Sequence, residues 1–171
     1  MPSVLSKEAI WKEIPNYEEY EVSNCGYIKG KTGSLMKPCL NRDGYFYFCV
    51  NKNKKQKTMK VHRLVAELFS LKRRNDQNLV DHKDGNKLNN HVNNIRWCNR
   101  SEQNYNRRIF KSNQLGFKGV YFNKRNKKNP YQAHININGK FVSLGYFPEL
   151  ELASQAYKKK AREIHGEFYK E

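Results

Sequence analysis

Leu79-Val80-Asp81-His82, a turn at Asp84-Gly85-Asn86, an asparagine-rich loop running to Asn94, then Ile95-Arg96-Trp97-Cys98 and Asn99-Arg100-Ser101-Glu102: the architecture of the chain hinges on these residues. Two short apolar runs flank a strong turn signal, which predicts two short strands. Asn99 followed three residues later by Glu102 has the form of a capping box with Asn in place of Ser, and predicts a helix from about Arg100 to Ile109. The whole is a strand–loop–strand–helix unit. An acid, a histidine and several amides fall on its inner side.

Upstream, Val61, Leu64, Val65, Leu68 and Phe69 recur at i, i+3, i+4, i+7 and i+8. They form one apolar stripe of an amphipathic helix, with His62, Arg63 and Glu67 off it. Residues 10 to 60 carry strand and turn signals. Val22-Ser23-Asn24-Cys25-Gly26-Tyr27-Ile28 reads as strand, turn, strand, and Tyr45-Phe46-Tyr47-Phe48-Cys49-Val50 as a strand after Asp43-Gly44. The basic segment Lys52 to Lys57 reads as the turn into the next strand. Downstream, Lys111-Ser112-Asn113-Gln114 reads as a linker, and Gly119 to Asn123 as a strand. Tyr131 to Ile137 alternates, Asn138-Gly139 is a type I′ hairpin signal, and Lys140 to Phe147 is the return strand. Pro148 opens a helix ending near His165 with Gly166 as its cap, and its small face is Ala153, Ala156, Tyr157, Ala161 and Ile164.

The chain has 171 residues, 33 Lys plus Arg against 16 Asp plus Glu, and a net charge of +17. Only 37% of residues are hydrophobic, so several small modules fit better than one large core. Aromatics at 13% exclude a disordered composition. No run approaches the length of a membrane span, and the N-terminus lacks an apolar leader, so an intracellular chain without a membrane partner is expected. The charge predicts a polyanionic partner. It is spread over five runs interleaved with aromatics, which favours nucleic acid, although each run alone also reads as a solvated face. Cys25, Cys39, Cys49 and Cys98 form no close pair, which disfavours a zinc ribbon and suggests free thiols. No aromatic ribonucleoprotein-type motif points to RNA.

Hydrolysing a phosphodiester needs a base for water and a cation beside the phosphate. Asp81 with an amide oxygen from the following helix would give a hard divalent ion two oxygen ligands. His82, a residue type whose unperturbed pKa lies near neutrality, would be the base. The same Asp-His pair in an Asx-rich loop also reads as turn chemistry, and spacing alone leaves both open.

His62-Arg63-Leu64-Val65-Ala66, Val80-Asp81-His82-Lys83-Asp84-Gly85-Asn86 and Asn93-Asn94-Ile95-Arg96-Trp97 together closely resemble the HNH homing endonucleases of phage and intron origin. Trp11 to Glu18, Tyr20 and Val22 to Gly26 look like the N-terminal module that accompanies such nucleases. The resemblance covers roughly residues 10 to 110. It implies a central ββα-metal fold, Asp81 as metal ligand, His82 as general base, and Asn94 as the asparagine that orients the loop and the histidine. The last motif residue of that family is an Asn or His on the helix. Here the register falls on Gln103, with Asn104 next to it. The spacing favours Gln103 and the residue type Asn104. The products implied are a 5′-phosphate and a 3′-hydroxyl.

In the C-terminal segment, pairing from the Asn138-Gly139 turn sets Ile137 against Lys140, Ile135 against Val142, Ala133 against Leu144 and Tyr131 against Tyr146. That apolar face, with Val120 and Phe122, is expected to pack on the helix. The opposite face pairs His134 with Ser143, Asn136 with Phe141 and Gln132 with Gly145, and carries Tyr121 and Asn123, flanked by Lys118, Lys124 and Arg125. A narrow sheet of this kind can lie in a major groove, and it also reads as a solvent-facing surface. Lys118-Gly119-Val120-Tyr121, Tyr131 to Ile135, Leu144-Gly145-Tyr146-Phe147 and Ala153 to Tyr157 look like the plant ethylene-response-factor DNA-binding domain, across about residues 116 to 168. That family reads DNA mostly through arginines and tryptophans, so base preference does not transfer.

The expectation is an α+β chain. A central ββα-metal HNH unit (61–110) follows an N-terminal β-rich DNA-binding module (1–60). A linker (111–115) leads to a three-stranded antiparallel sheet packed on one helix (116–171). The expected function is a site-specific homing-type DNA endonuclease using one Mg2+ or Mn2+, nicking one strand per site. The alternative is a non-catalytic DNA-binding regulator derived from a nuclease. DNA contacts are expected from Lys54, Lys55, Lys57, Arg63, Arg96 and Arg107, and from Lys118, Tyr121, Asn123, Lys124, Arg125, His134, Asn136, Phe141 and Ser143. The partner is double-stranded DNA, met by a monomer or, for a double-strand break, a dimer, inside a host cell for a phage- or virus-encoded chain.

Overall fold

The computed structural model describes residues 9–69, 73–106, 109, 113–137 and 139–169. In chain order the elements are β1 (Trp11–Ile14), β2 (Tyr17–Ser23), β3 (Ile28–Lys29), β4 (Leu35–Met36), β5 (Cys39–Leu40), β6 (Phe46–Lys52), β7 (Lys55–Lys60), α1 (Val61–Phe69), β8 (Leu79–His82), β9 (Ile95–Cys98), α2 (Arg100–Tyr105), β10 (Val120–Phe122), β11 (Tyr131–Ile137), β12 (Lys140–Phe147) and α3 (Leu150–His165). They fall into two compact units that divide between Asn99 and Arg100.

In the first unit all sheets are antiparallel: β1-β2-β3-β4, β5-β6-β7 and the pair β8-β9. One core serves them. Ile14, Tyr20, Val22 and Ile28 come from the first sheet, Phe48 and Val50 from β6, Val61, Leu64, Val65 and Ala66 from α1, and Val80, Ile95 and Trp97 from β8 and β9. Alternation in β6 buries Phe48 and Val50 and turns their neighbours outward, as a one-sided strand requires. The β6–β7 hairpin turns on Asn53 and Lys54 alone, both at positive φ (51° and 60°). This two-residue turn suits the right-handed strand twist. Most of the basic segment expected as turn is therefore strand.

The helix α1 lies where periodicity places it, with one correction. His62, expected off the apolar stripe, is buried. The stripe is wider than its aliphatic residues suggest, because Tyr45 and His82 supply aromatic partners for the imidazole.

In the second unit β10-β11-β12 form an antiparallel sheet with α3 packed on it. The hairpin register agrees with expectation from Ile137↔Lys140 to His134↔Ser143, then slips. Ala133 pairs with Gly145 instead of Leu144, and Tyr131 with Phe147 instead of Tyr146. Leu144 is the extra residue of a β-bulge, beside Gly145 at φ +122°. The bulge lets Leu144 join the small core of Val120, Ala133 and Ala153. Phe122, expected beneath the helix, is exposed and leans on Tyr131, ring to ring at 5.6 Å. Gly119 is obligatory here: at φ +66°, a Cβ would sit 2.1 Å from the Tyr157 ring and 2.7 Å from the His134 carbonyl oxygen. Leu115, placed in the expected linker, packs on this core. The helix α3 starts at Leu150, two residues after Pro148, and ends at His165 with Gly166 as its C-cap.

Candidate active site

The site is built on β8, β9 and the loop between them. Asp81 lies opposite Arg96 and His82 opposite Ile95 in the antiparallel register. All four residues of β9 are buried, so this short ladder is held from both faces. Arg96 donates from Nε and Nη2 to the same carboxylate oxygen, Asp81 Oδ2, at 3.1 and 2.9 Å. Both partners are buried. Charge-assisted bonds of this kind are among the stronger ones available.

The loop is a fabric of Asx bonds. The Asn86 N–H donates to Asp84 Oδ1 (2.7 Å), the Asn89 amide to Asp84 Oδ2 (2.8 Å), and the Asn94 amide to Asp84 Oδ1 (3.0 Å) and the Asn89 carbonyl (2.8 Å). Asn94 also accepts from the Asp84 N–H at 3.0 Å. Burial pushes the Asp84 carboxyl up, but these donors together outweigh it and hold the group below its ordinary range. Asp84 is thus spent on loop shape. Asn94 bonds within the loop, to Asp84 and Asn89, and does not touch the histidine by these bonds.

The histidine is held by Asn90, a residue that spacing did not single out. His82 Nε2 lies 3.1 Å from Asn90 Oδ1, and the Asn90 amide donates to the Leu88 carbonyl at 3.4 Å. An oxygen acceptor at Nε2 selects the Nε2–H tautomer and leaves the basic lone pair on Nδ1. Asn90 is buried because the Asn24-Cys25-Gly26 turn presses on it. A Cβ on Gly26, at φ +84°, would sit 2.7 Å from Asn90 Cβ, and the Val92 N–H donates to the Asn24 carbonyl at 2.8 Å. The N-terminal sheet thereby fixes the histidine's partner.

Two rings enclose His82. His62 meets it edge-on at 5.4 Å and Tyr45 lies at 6.0 Å, with Tyr45 and His62 at 4.7 Å. Burial, with His82 next in weight, lowers His62 to about 3, so it is neutral, and its Nδ1 has no partner among the described residues. Burial also lowers His82, opposed by Asn90, Asp81 and Asp84. A base kept deprotonated below neutrality is ready to accept a proton. Lys87 and Lys60 lie over the Tyr45 ring at 4.7 and 5.7 Å. These lysines are further candidates, and their signal was the alternation of charge with aromatics.

Among the described residues no cluster of three His, Cys, Asp or Glu side chains could hold a metal. With Asp84 occupied, the unit offers one buried carboxylate, Asp81. That donor chemistry fits a hard divalent ion completed by amide, water and phosphate oxygens, and does not fit zinc.

A family model, the NUMOD4 motif, matches residues 10–51, the strands that press on Asn90. Over 142 residues the chain is 37% identical to an uncharacterized HNH endonuclease, L245, of Acanthamoeba polyphaga mimivirus, covering 78% of this chain and 42% of that protein. It is 45% identical over 89 residues to the DNA endonuclease I-HmuI of Bacillus phage SP01, covering 51% of each. Among solved structures, that of DNA binding and cleavage by the HNH homing endonuclease I-HmuI matches with a TM-score of 0.54 and 32% identity, over 85% of this chain and 82% of that one. The chain belongs to the HNH endonuclease family. It spans about half the length of the curated relatives it matches.

The remaining HNH-related residues divide between the units. Gln103 and Asn104 lie on α2 in the second unit, where Gln103 Oε1 accepts from Arg100 at 3.4 Å and Asn104 is exposed. The expected helix to Ile109 ends at Tyr105 among the described residues, and Arg107 lies outside them. Lys54, Lys55 and Lys57 are exposed on the β6–β7 hairpin, Lys57 lying over the Tyr17 ring at 5.7 Å. Arg63 is exposed, paired with Glu67 and donating to the Asn78 carbonyl. Arg96, expected on DNA, is buried and bonded to Asp81 in the DNA-free chain.

On the C-terminal sheet Tyr121 stacks on His134 at 4.2 Å, and His134 meets Phe141 edge-on at 5.1 Å. Phe141 is 74% exposed. Ser143, Lys124 and Arg125 are exposed, and Lys118 lies over Tyr169. Asn123 and Asn136 direct their Oδ1 atoms to the backbone N–H groups of Arg125 and Gly139, so their side chains shape turns.

Proposed function

We propose that the chain is a homing-type, site-specific DNA endonuclease that hydrolyses phosphodiester bonds. HNH endonucleases generally use a divalent metal. Here we assign Mg2+ or Mn2+, held by Asp81 and an amide oxygen of Gln103 or Asn104 in a ββα-metal arrangement. When bound, the ion supplies positive charge beside the scissile phosphate. Water attacks phosphorus as the bond to the 3′ oxygen breaks and that oxygen leaves to take a proton from solvent, and His82 accepts the water's proton at Nδ1 while Asn90 holds the opposite ring nitrogen. His62 and Tyr45 keep the ring in place and limit water around it. The products are a 5′-phosphate and a 3′-hydroxyl. One site per monomer cuts one strand, and a double-strand break takes two actions or a dimer.

The observation that carries this reading is the 3.1 Å contact between His82 Nε2 and Asn90 Oδ1, beside the buried Asp81. A base with its lone pair fixed beside a buried carboxylate is a hydrolytic arrangement, and turn chemistry has no use for it. The division of labour follows the 1–60, 61–110 and 116–171 scheme. Basic hairpin residues contact phosphates, and the sheet carrying Tyr121, His134 and Phe141 adds DNA affinity as an ethylene-response-factor-like domain. I-HmuI is named for DNA binding and cleavage, which supports double-stranded DNA as partner in a phage- or virus-infected host cell. Among the described residues no helix is long and apolar enough to cross a membrane.

The test is supercoiled plasmid carrying the native target, incubated with Mg2+ or Mn2+. Wild type nicks it and His82→Ala does not. Intact wild-type protein that binds this plasmid and leaves it uncut refutes the enzyme and favours the non-catalytic regulator. Equal cutting by His82→Ala refutes the assigned base.

A further inference from the structure

We infer that Arg96 is a built-in counter-ion for Asp81 that suppresses metal binding by the DNA-free chain and hands the carboxylate over when a DNA phosphate takes the guanidinium. This rests on the reading of Asp81 as a metal ligand.

The two side chains face each other across a register-matched pair of β8 and β9, so the backbone sets their contact. Two guanidinium bonds go to one oxygen, Oδ2, at 2.9 and 3.1 Å. The side chains are only 9% and 11% exposed, so water screens the pair weakly. A divalent ion on the same carboxylate would meet a fixed positive charge a few ångströms away. In a site this dry that repulsion falls directly on metal affinity. Without the arginine, Asp81 would lose the buried positive charge that faces it, which is costly. The guanidinium therefore solves a folding problem and creates a metal-binding one.

DNA resolves the conflict. A phosphate diester offers two free oxygens in the geometry that a guanidinium fork prefers. Transfer of Arg96 from Asp81 to phosphate keeps the arginine paired and leaves the carboxylate for the ion. Arg96 is thus a positioning residue in the DNA-free chain, and a phosphate contact once DNA is bound.

The experiment measures Mn2+ binding calorimetrically to the full, DNA-free chain. Wild type, Arg96→Gln, Arg96→Lys and Asp81→Asn are compared, each first checked for a folded tryptophan signal. Gln keeps a hydrogen bond to Oδ2 and removes the charge. It is expected to tighten Mn2+ binding by ~10-fold or more, the scale set by one nearby unit charge in a weakly screened site. Lys keeps the charge and is expected to stay within about threefold of wild type on the same Coulomb reasoning. Mn2+ should also raise the melting temperature of Arg96→Gln more than that of wild type. Arg96→Gln binding no tighter than wild type, or Arg96→Lys tightening as much as Gln, overturns the inference. If Asp81→Asn binds Mn2+ as wild type does, the metal-ligand reading itself fails. If Asp81→Asn abolishes binding while Arg96→Gln changes nothing, only the counter-ion role fails.

Discussion

Lowering the pH from 7 to 5 should unfold the N-terminal unit more readily, and His62 should account for much of the loss. The imidazole is 6% exposed, packed between Tyr45 and His82, and depressed to about 3 by burial first and His82 second. In the unfolded chain it titrates near 6.5. Because the folded value is the lower one, the unfolded state binds the extra proton below 6.5. The stabilisation is complete above that pH and is lost as pH falls toward about 3. At pH 5 the penalty from His62 is about 2 kcal/mol, from 1.36 kcal/mol per pH unit below 6.5. His82 is also depressed and adds loss of the same sign. Urea unfolding followed by tryptophan fluorescence measures this unit selectively, because both tryptophans, Trp11 and Trp97, precede Arg100. His62→Phe keeps a ring against Tyr45 and has no proton to bind. Its loss of stability between pH 7 and 5 should be smaller than that of wild type by about 2 kcal/mol. Equal losses in the two proteins would refute the claim that the buried imidazole stays neutral.

Four further outcomes are expected. Asn90→Ala leaves the buried His82 Nε2–H without its acceptor, at a cost of ~1–3 kcal/mol, and should cut kcat on plasmid by roughly 10- to 100-fold with little change in KM. Asn90→Asp should raise the pKa of His82 through a new adjacent negative charge, and so move the acidic limb of the kcat/KM profile to higher pH. An unmoved limb would remove Asn90 from contact with the base. Gly119→Ala forces a Cβ into Tyr157 and the His134 carbonyl at a positive φ. It should strip hydrogen-exchange protection from β10 and β11 amides by a factor of about 30 or more, an effect of ~2 kcal/mol. Gln103→Ala and Asn104→Ala should differ by at least ~10-fold in Mg2+ dependence of nicking, because adjacent helical positions point about 100° apart. Equal behaviour would sink both as ligands.

The elements of this chain were legible wherever one residue type repeats at a period. The stripe from Val61 to Phe69 is α1, the alternation in Tyr131–Ile137 is β11, and the two short apolar runs around Asp84-Gly85-Asn86 are β8 and β9. What escaped is what periodicity does not encode. His62 looked off-stripe because a hydropathy pattern counts a histidine as polar, while the fold supplies it with two aromatic neighbours. The bulge at Leu144 breaks a pairing that turn chemistry alone predicts correctly for only four residue pairs. Asn90 is one of five asparagines from Asn86 to Asn94, and nothing local distinguishes it. It is selected by Gly26, 64 positions away, whose missing Cβ makes room for it. Arg96 read as a DNA contact because a basic residue in a basic chain has many uses. Only the strand register shows which carboxylate it faces.

The charge of the chain bears on how the site can work. With a net +17, a free divalent cation approaches against the field of the protein, whereas a DNA duplex approaches with it. DNA also carries a condensed cation atmosphere and brings the negative charge that a hard metal needs to complete its oxygen ligands. The local arrangement repeats the global one. Asp81 is compensated by Arg96, and Lys87 and Lys60 ring the aromatic wall beside His82. If Asp81 binds the metal as proposed, metal affinity and DNA affinity are linked reciprocally: whatever DNA does to the metal, the metal does to DNA by the same factor. A site built this way needs no moving lid to stay inactive without substrate. On the counter-ion inference the missing component is negative charge, and a DNA phosphate backbone would supply it.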